Sequence, residues 1–266
     1  ICGPDSGGIS LRVYKFANRV LTQVATGVCP AFSGEQISWH PTGNFIVGGR
    51  ANDVGAGEII LFSFNGTPDS ESLTALNNYE HGASVLSAEW SPDGNTVLIV
   101  GYNGASSIDV RAYSFNGTNS LTELPGCQID LGSIFGHQGS WHPTGKFVAI
   151  TSWDNNDLYI YSFSGTSFTL VTQKTFGPGY AGNAGAHVSW SNDGLFVILA
   201  SEYVTADAAE IRVYRFDGKT LTEQIRTRRK VTPGSGNHAH AAYFSPDDKF
   251  VAAVSAAASG ALAVYP

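Results

Sequence analysis

Short apolar runs separated by turn residues recur along the chain, and around them apolar and polar positions alternate with a period of two, the spacing of strands rather than helices. The clearest run follows an aromatic-led turn, Trp39-His-Pro-Thr-Gly-Asn-Phe-Ile-Val47. It returns as Trp90-Ser-Pro-Asp-Gly-Asn-Thr-Val, Trp141-His-Pro-Thr-Gly-Lys-Phe-Val, Trp190-Ser-Asn-Asp-Gly-Leu-Phe-Val and Phe244-Ser-Pro-Asp-Asp-Lys-Phe-Val, at steps of 51, 51, 49 and 54 residues. A fixed period of this size marks a repeat architecture in which each unit buries its faces against its neighbours. Within each copy an aromatic ends one strand, Pro and Asp-Gly or Thr-Gly make the turn, and β-branched residues carry the next strand. Asp248 stands where the other copies have glycine and is expected to carry backbone strain. His40 and His142 belong to this uniform turn and are expected to be structural. Trp39, Trp90, Trp141 and Trp190 are expected to pack between repeats.

A second element recurs as Leu11-Arg-Val-Tyr-Lys-Phe16, Ile59-Ile-Leu-Phe-Ser-Phe64, Val110-Arg-Ala-Tyr-Ser-Phe115, Leu158-Tyr-Ile-Tyr-Ser-Phe163, Ile211-Arg-Val-Tyr-Arg-Phe216 and Leu262-Ala-Val-Tyr265. Most copies lead into Asn-Gly, Ser-Gly or Asp-Gly and then a Leu-Thr or Phe-Thr strand, which predicts tight hairpins. Asn65-Gly-Thr and Asn116-Gly-Thr also read as glycosylation sequons, although the turn accounts for them without sugar. Each unit thus has strands a (ending at the aromatic), b (after the Pro turn), c (the Tyr-x-Phe strand) and d (opening on Leu-Thr). Four antiparallel strands per repeat with no helical periodicity predict an all-β fold, a β-propeller of four-stranded blades.

The strand count is two from residues 11 to 26, sixteen from 35 to 227 and three from 240 to 265. Five blades are preferred, with the first d strand completing the last blade so that no edge stays open; the alternative is a fragment of a six- or seven-bladed propeller. The domain reading is one propeller over residues 1–266, with sequence repeats at about 11–57, 58–107, 108–156, 157–209 and 210–260 and a partial unit at 261–266.

The Pro-Asp-Gly or Pro-Thr-Gly turn followed by Phe-Val, then Val-Tyr-x-Phe and Gly-x-Leu-Thr, resembles the repeat of lactonase-like propellers, the 6-phosphogluconolactonase group. The resemblance spans nearly the whole chain at the level of the blade and implies a lactonase-like hydrolase as one functional reading. It is weaker for WD40 repeats, because Trp153-Asp154 follows strand b rather than ending strand c.

Composition narrows the partners. A net charge of -7 disfavours nucleic acid and anionic membranes, and no apolar run approaches the roughly 20 residues of a membrane span. Charged residues make up 14% of the chain and glycine numbers 31, values that suit turns and strands. The chain begins at Ile1 and contains no Met, which points to a removed natural start. Abundant Gly, Ser, Thr and Asn with few Lys lean towards a secreted or cell-surface protein. Cys2, Cys29 and Cys127 fit no paired metal motif, and a Cys2–Cys29 bridge is one reading beside small buried thiols.

Functional residues are sought where the repeat varies. The a–b and c–d turns repeat, whereas the b–c and d–a links differ in length and content, and in a four-stranded blade those two links share one face. The leading reading is a non-catalytic scaffold presenting that face to a protein or glycan; a structural unit of a larger surface assembly is a third. Glu35, His81, His137, His187, His238 and His240 precede strand a; Arg50, Tyr102, Trp153 and Glu202 end strand b. For a hydrolase the candidates are His137 or His240 with Glu35 or Glu202 as base, and Arg50 for the oxyanion. For ligand binding they are Tyr102, Trp153, Glu202, His187 and His238. No cofactor or metal is expected, because no two histidines have local ligand spacing. The basic run Arg226-Thr-Arg-Arg-Lys230 reads as a solvated edge.

Overall fold

The computed structural model describes residues 9–28, 36–50, 57–102, 108–132, 136–152, 157–175, 187–201, 210–229, 239–255 and 261–265. They form strands β1 (Ile9–Ala17), β2 (Val20–Val28), β3 (Ile37–Trp39), β4 (Phe45–Gly49), β5 (Ile59–Asn65), β6 (Ser72–Tyr79), β7 (Ser84–Trp90), β8 (Thr96–Tyr102), β9 (Val110–Phe115), β10 (Leu121–Glu123) and β11 (Gly136–Trp141). The remainder are β12 (Phe147–Ser152), β13 (Asp157–Phe163), β14 (Phe168–Thr175), β15 (His187–Trp190), β16 (Phe196–Ala200), β17 (Ile211–Phe216), β18 (Leu221–Glu223), β19 (Ala239–Phe244), β20 (Val251–Ser255) and β21 (Ala261–Tyr265). One 3-10 turn, Ile225–Thr227, is the described helical element. The chain is all-β, in the strand phase expected from the repeat.

All described pairings between these strands are antiparallel and sequential. Four sheets have four strands in the order a-b-c-d: β3–β6, β7–β10, β11–β14 and β15–β18. Before them stands a sheet of two, β1–β2, and after them a sheet of three, β19–β21. Six sheets therefore form among the described residues. Among the described residues β2 pairs with β1, in a sheet separate from β19–β21.

The contacts divide the chain into two compact units, residues 1–124 and 125–266. In the first, Leu11, Val13 and Ala25 of the first sheet pack on Ile46, Ile60 and Phe62 of the second. The opposite face of the second sheet, Val47, Ile59 and Leu61, packs on Trp90, Val97, Tyr113 and Leu121 of the third. The second unit repeats the scheme. Ala149, Leu158 and Ile160 meet Trp190, Leu199, Tyr214, Phe216 and Leu221, and Ile198, Ile211 and Val213 meet Ala242 and Ala253. Alternate residues along each strand serve opposite faces, so every sheet has a forward face (Ile211, Val213) and a backward face (Tyr214, Phe216, Leu221).

The uniform turns tie successive sheets together. His40 accepts from Thr42 N–H at Nδ1 and reaches the Gly94 carbonyl with Nε2 at 3.0 Å. His142 repeats this with Thr144 and the Gly194 carbonyl, at 3.1 Å. The imidazoles also meet Trp90 and Trp190 edge-on, with ring centroids 4.8 and 4.7 Å apart. Both histidines are thus structural. Trp90, Trp141 and Trp190 are buried, but Trp39 is 43% exposed. It packs edge-on against Phe64 of its own sheet. The facing first sheet has only strands c and d among the described residues, which removes the covering expected there.

The c–d turns differ from the tight Asn-Gly hairpins predicted. The two-residue turn is Asn18-Arg19, both at positive φ, 52° and 64°. At Asn65 and Asn116 the loops are longer, and the side-chain oxygen accepts from following backbone N–H groups: Thr67 from the first, Thr118, Asn119 and Ser120 from the second. The basic run is absorbed locally. Arg228 makes a two-pronged pair with Glu223, at 2.7 and 2.8 Å, and Arg229 donates to the Arg226 and Arg228 carbonyls. Lys230, Cys2 and Cys29 lie outside the described residues. Cys127 is a buried free thiol whose pKa burial pushes up to about 11.

Candidate functional site

In each complete sheet the end of strand b faces the start of strand c, as in Gly49↔Ile59, Val100↔Val110 and Ala200↔Ile211. Strand a starts and strand d finishes at that same end. The b–c and d–a links of a sheet therefore share one end, and the polar residues gathered there are unusually buried.

Arg50 is one of them. It directly follows β4, at the position held by Gly101, Ser152, Ser201 and Ser255 in the later repeats. Its backbone N–H donates to the Glu58 carbonyl at 2.8 Å, so the two residues lie opposite each other and their side chains share a face. Arg50 is 2% exposed and Glu58 0%. Glu58 Oε2 accepts from the His81 and Gly82 N–H groups at 2.7 and 3.0 Å, while its Oε1, like Arg50 Nε and Nη1, has no hydrogen-bond partner. His81 is buried beside them, and burial, helped by the Arg111 charge, lowers its pKa to about 3. Its imidazole is therefore neutral at physiological pH. Arg111 pairs with Glu123, and Tyr113 is held protonated, its pKa raised by burial first and then by Glu123.

Two buried guanidinium nitrogens and a buried carboxylate oxygen that lack partners represent a large desolvation cost unless something else satisfies them. This arrangement is suited to a small polar molecule presenting a carbonyl or carboxylate oxygen to Arg50 and a hydroxyl or water to Glu58.

The second unit carries a histidine pair at the same end of its sheets. His187, the first residue of β15, is buried, with its ring 4.4 Å from Tyr243. Its Nδ1 lies 3.4 Å from the Ala242 N–H, and its Nε2 is without a partner. Burial, then the nearby His137, lowers its pKa to about 3. His137 therefore lies close enough to His187 to act on its charge. His240 lies exposed on β19, and Tyr102 ends β8 half-buried opposite Ser84. Glu35, Trp153, Glu202 and His238 lie outside the described residues.

Sequence reading missed Glu58, although a signal existed: Glu58, Asp109, Asp157 and Glu210 each immediately precede a Tyr-x-Phe or Phe-x-Phe strand. Among the described residues no group of three or more His, Cys, Asp or Glu is placed to hold a metal ion. Two apolar grooves, of about 340 and 240 Å³, lie elsewhere, between the fifth and sixth sheets and between the first and second, and are lined by residues such as Phe196 and Tyr265 or Leu11 and Trp39.

No protein-family profile and no curated protein matches the sequence. Solved structures do. A protein from Lactobacillus plantarum superposes with a TM-score of 0.72 at 14% identity, over 100% of this chain and 80% of that one. The periplasmic gluconolactonase PpgL of Pseudomonas aeruginosa gives the same TM-score of 0.72, identity of 14% and coverage of 100% and 80%. The chain has the fold of the lactonase-type propellers. At this identity the likeness concerns the fold, and each antiparallel four-stranded sheet corresponds to a blade.

Proposed function

We propose that the chain is a lactonase-like hydrolase acting on a small sugar-derived lactone, in preference to the binding scaffold that the sequence first suggests. The observation that carries this reading is the set of buried polar atoms without a hydrogen-bond partner, Arg50 Nε and Nη1 and Glu58 Oε1, at the variable end of the second sheet. A scaffold surface has no use for buried guanidinium nitrogens left without a partner. The gluconolactonase likeness in fold adds the substrate class.

Lactone opening requires water to attack the ring carbonyl and negative charge to develop on its oxygen. Arg50 is the group that would hold that oxygen, through Nε and Nη1 in a site shielded from water, where charge stabilisation is strongest. Glu58 Oε1 would accept the proton of the attacking water. Its Oε2 is fixed by two backbone N–H groups, which sets the carboxylate's orientation. Neutral His81 beside it adds no competing charge.

The test is hydrolysis of a panel of sugar lactones followed by acid release. Arg50→Ser installs the residue that three later repeats carry at this position, so the fold is retained, and kcat is expected to fall about 100- to 1,000-fold. Turnover by the unaltered chain no faster than the spontaneous rate would overturn the reading. So would equal rates for the two proteins.

A further inference from the structure

The residue three places before the motif aromatic of strand a is Gln36, Ser87, Gln138, His187 and Ala241 in successive sheets. Its register against strand b is constant, with Ser87↔Val100, Gln138↔Thr151, His187↔Ala200 and Ala241↔Val254. In the first unit this position is satisfied from one sheet to the next, Ser87 Oγ donating to Gln36 Oε1 at 2.6 Å. In the second unit the fifth and sixth sheets are joined in the same way two places on, where Ser189 Oγ donates to the Ala242 carbonyl at 2.9 Å. His187 breaks the scheme. Its counterpart in the sixth sheet is Ala241, and a methyl group accepts nothing.

The imidazole is fixed from one side. Ala242 N–H donates to Nδ1 at 3.4 Å, so in the neutral ring the proton sits on Nε2, which is then a donor. His187 is 4% exposed, and its Nε2 has no hydrogen-bond partner among the described residues. The Tyr243 ring stands edge-on beside it, and an aromatic face is at best a weak acceptor. That ring is itself 52% exposed. A protonated Nε2 has no lone pair to give a metal ion, so the site calls for an oxygen acceptor. The donor is uncharged, and a carboxylate buried against it would gain no countercharge, which favours a hydroxyl. We propose that the second unit binds a neutral sugar here, one hydroxyl oxygen accepting from His187 Nε2–H in the room that Ala241 leaves and an apolar sugar face lying on Tyr243. The site is independent of the hydrolase reading.

The probe is glucose, titrated calorimetrically into the full chain and followed on the imidazole nitrogen resonances. For a molecule of this size a Kd of about 1 mM is expected, with the His187 Nε2–H resonance moving as the site fills. Ala241→Gln installs the residue that two earlier repeats carry at this position and gives Nε2–H an acceptor within the chain. Glucose binding should then weaken at least about tenfold. Tyr243→Ala, at a half-exposed position, should weaken it by about as much. Gluconate should bind at least about tenfold more weakly than glucose. The proposal is overturned by an unaltered chain that shows no saturable glucose binding, by unchanged affinity in Ala241→Gln or Tyr243→Ala, or by gluconate binding as tightly as glucose. Glucose has no lactone bond to open, so each result is read without turnover and leaves the test of Arg50 and Glu58 untouched.

Discussion

Asp248 and Asn192 each break the turn pattern, and each explains the other. Asp248 occupies the glycine position at φ 56°, a conformation that costs a side-chain-bearing residue about 1 kcal/mol. Its carboxylate accepts from the backbone N–H and side-chain amide of Asn192 and from the Asp193 N–H, at 2.8, 2.8 and 2.9 Å. The first of these bonds is possible only because Asn192 has replaced the proline of the other copies, which has no N–H. Burial works against the charge, but these hydrogen bonds outweigh it and hold the Asp248 carboxyl below its usual range. Asn192→Pro or Asp248→Gly alone is expected to cost about 0.5–1.5 kcal/mol in urea unfolding, and the double variant no more than the worse single one. Strict additivity would show that the pair is uncoupled.

The turn glycines make a sharper comparison. Gly43 and Gly94 both lie at positive φ, 76° and 74°. A Cβ at Gly43 meets nothing, whereas at Gly94 it collides with the His40 imidazole. Gly43→Ala should therefore cost about 1 kcal/mol for the backbone alone, and Gly94→Ala at least about twice that, with loss of the His40 hydrogen bond. Equal costs would deny the imidazole its clamping role. The glycine is evident in the sequence, but its second reason lies 54 residues away in a ring from another sheet.

Among the elements, strand d shows how position in the array decides what an identical motif is worth. Leu121-Thr122 and Leu221-Thr222 open β10 and β18, Leu21-Thr22 follows the first residue of β2, and all three leucines pair with the last Phe of their c strand. Leu221 is buried in the core between the fourth and fifth sheets, while Leu21 faces outward. Leu221→Ala should lower stability by about 2–5 kcal/mol, whereas Leu21→Ala should change it by less than about 0.5 kcal/mol. Calorimetry on both variants checks the contrast. Strand type and phase were legible because the period-two alternation and the aromatic markers are local. The c–d turns depart from the tight hairpins that Asn-Gly predicts. The loops instead use the Asn side chain as an acceptor for several N–H groups, and the two-residue turn falls on Asn18-Arg19. Trp39 was misjudged for a related reason: its motif matches the other tryptophans, but burial depends on strands of a neighbouring sheet.

For the whole molecule, acid is the condition that both units register. His81 in the first and His187 in the second have pKa values near 3 in the fold, against 6.5 when solvated. The unfolded chain takes up a proton at each as pH falls below about 6.5, and the folded chain does so only near 3. Stability is thus complete above the upper value and is lost progressively between the two, by up to about 1.4 kcal/mol per pH unit for each histidine. Thermal midpoints measured from neutral to mildly acidic pH should fall accordingly, and His81→Gln or His187→Gln should flatten that fall. An unchanged slope in both variants would place the acid sensitivity elsewhere.

The candidate site was legible only in part. Arg50 could be picked out as a departure from the small residues at its position, and His137 with His187 as histidines entering equivalent strands. That Arg50 is buried opposite Glu58, and that each keeps polar atoms without partners, could not be read from either residue's neighbours.

The sequence by itself determined the all-β class, the four-strand grammar, the phase of every described strand and the end of each sheet at which variation collects. These follow from local patterns, since alternation and turn chemistry act within a few residues. Only the tertiary structure decided how many sheets form, which copies of a repeated residue are covered, and which charged groups lose water without gaining a partner. Those outcomes depend on contacts between residues about fifty positions apart, where identical motifs acquire different surroundings.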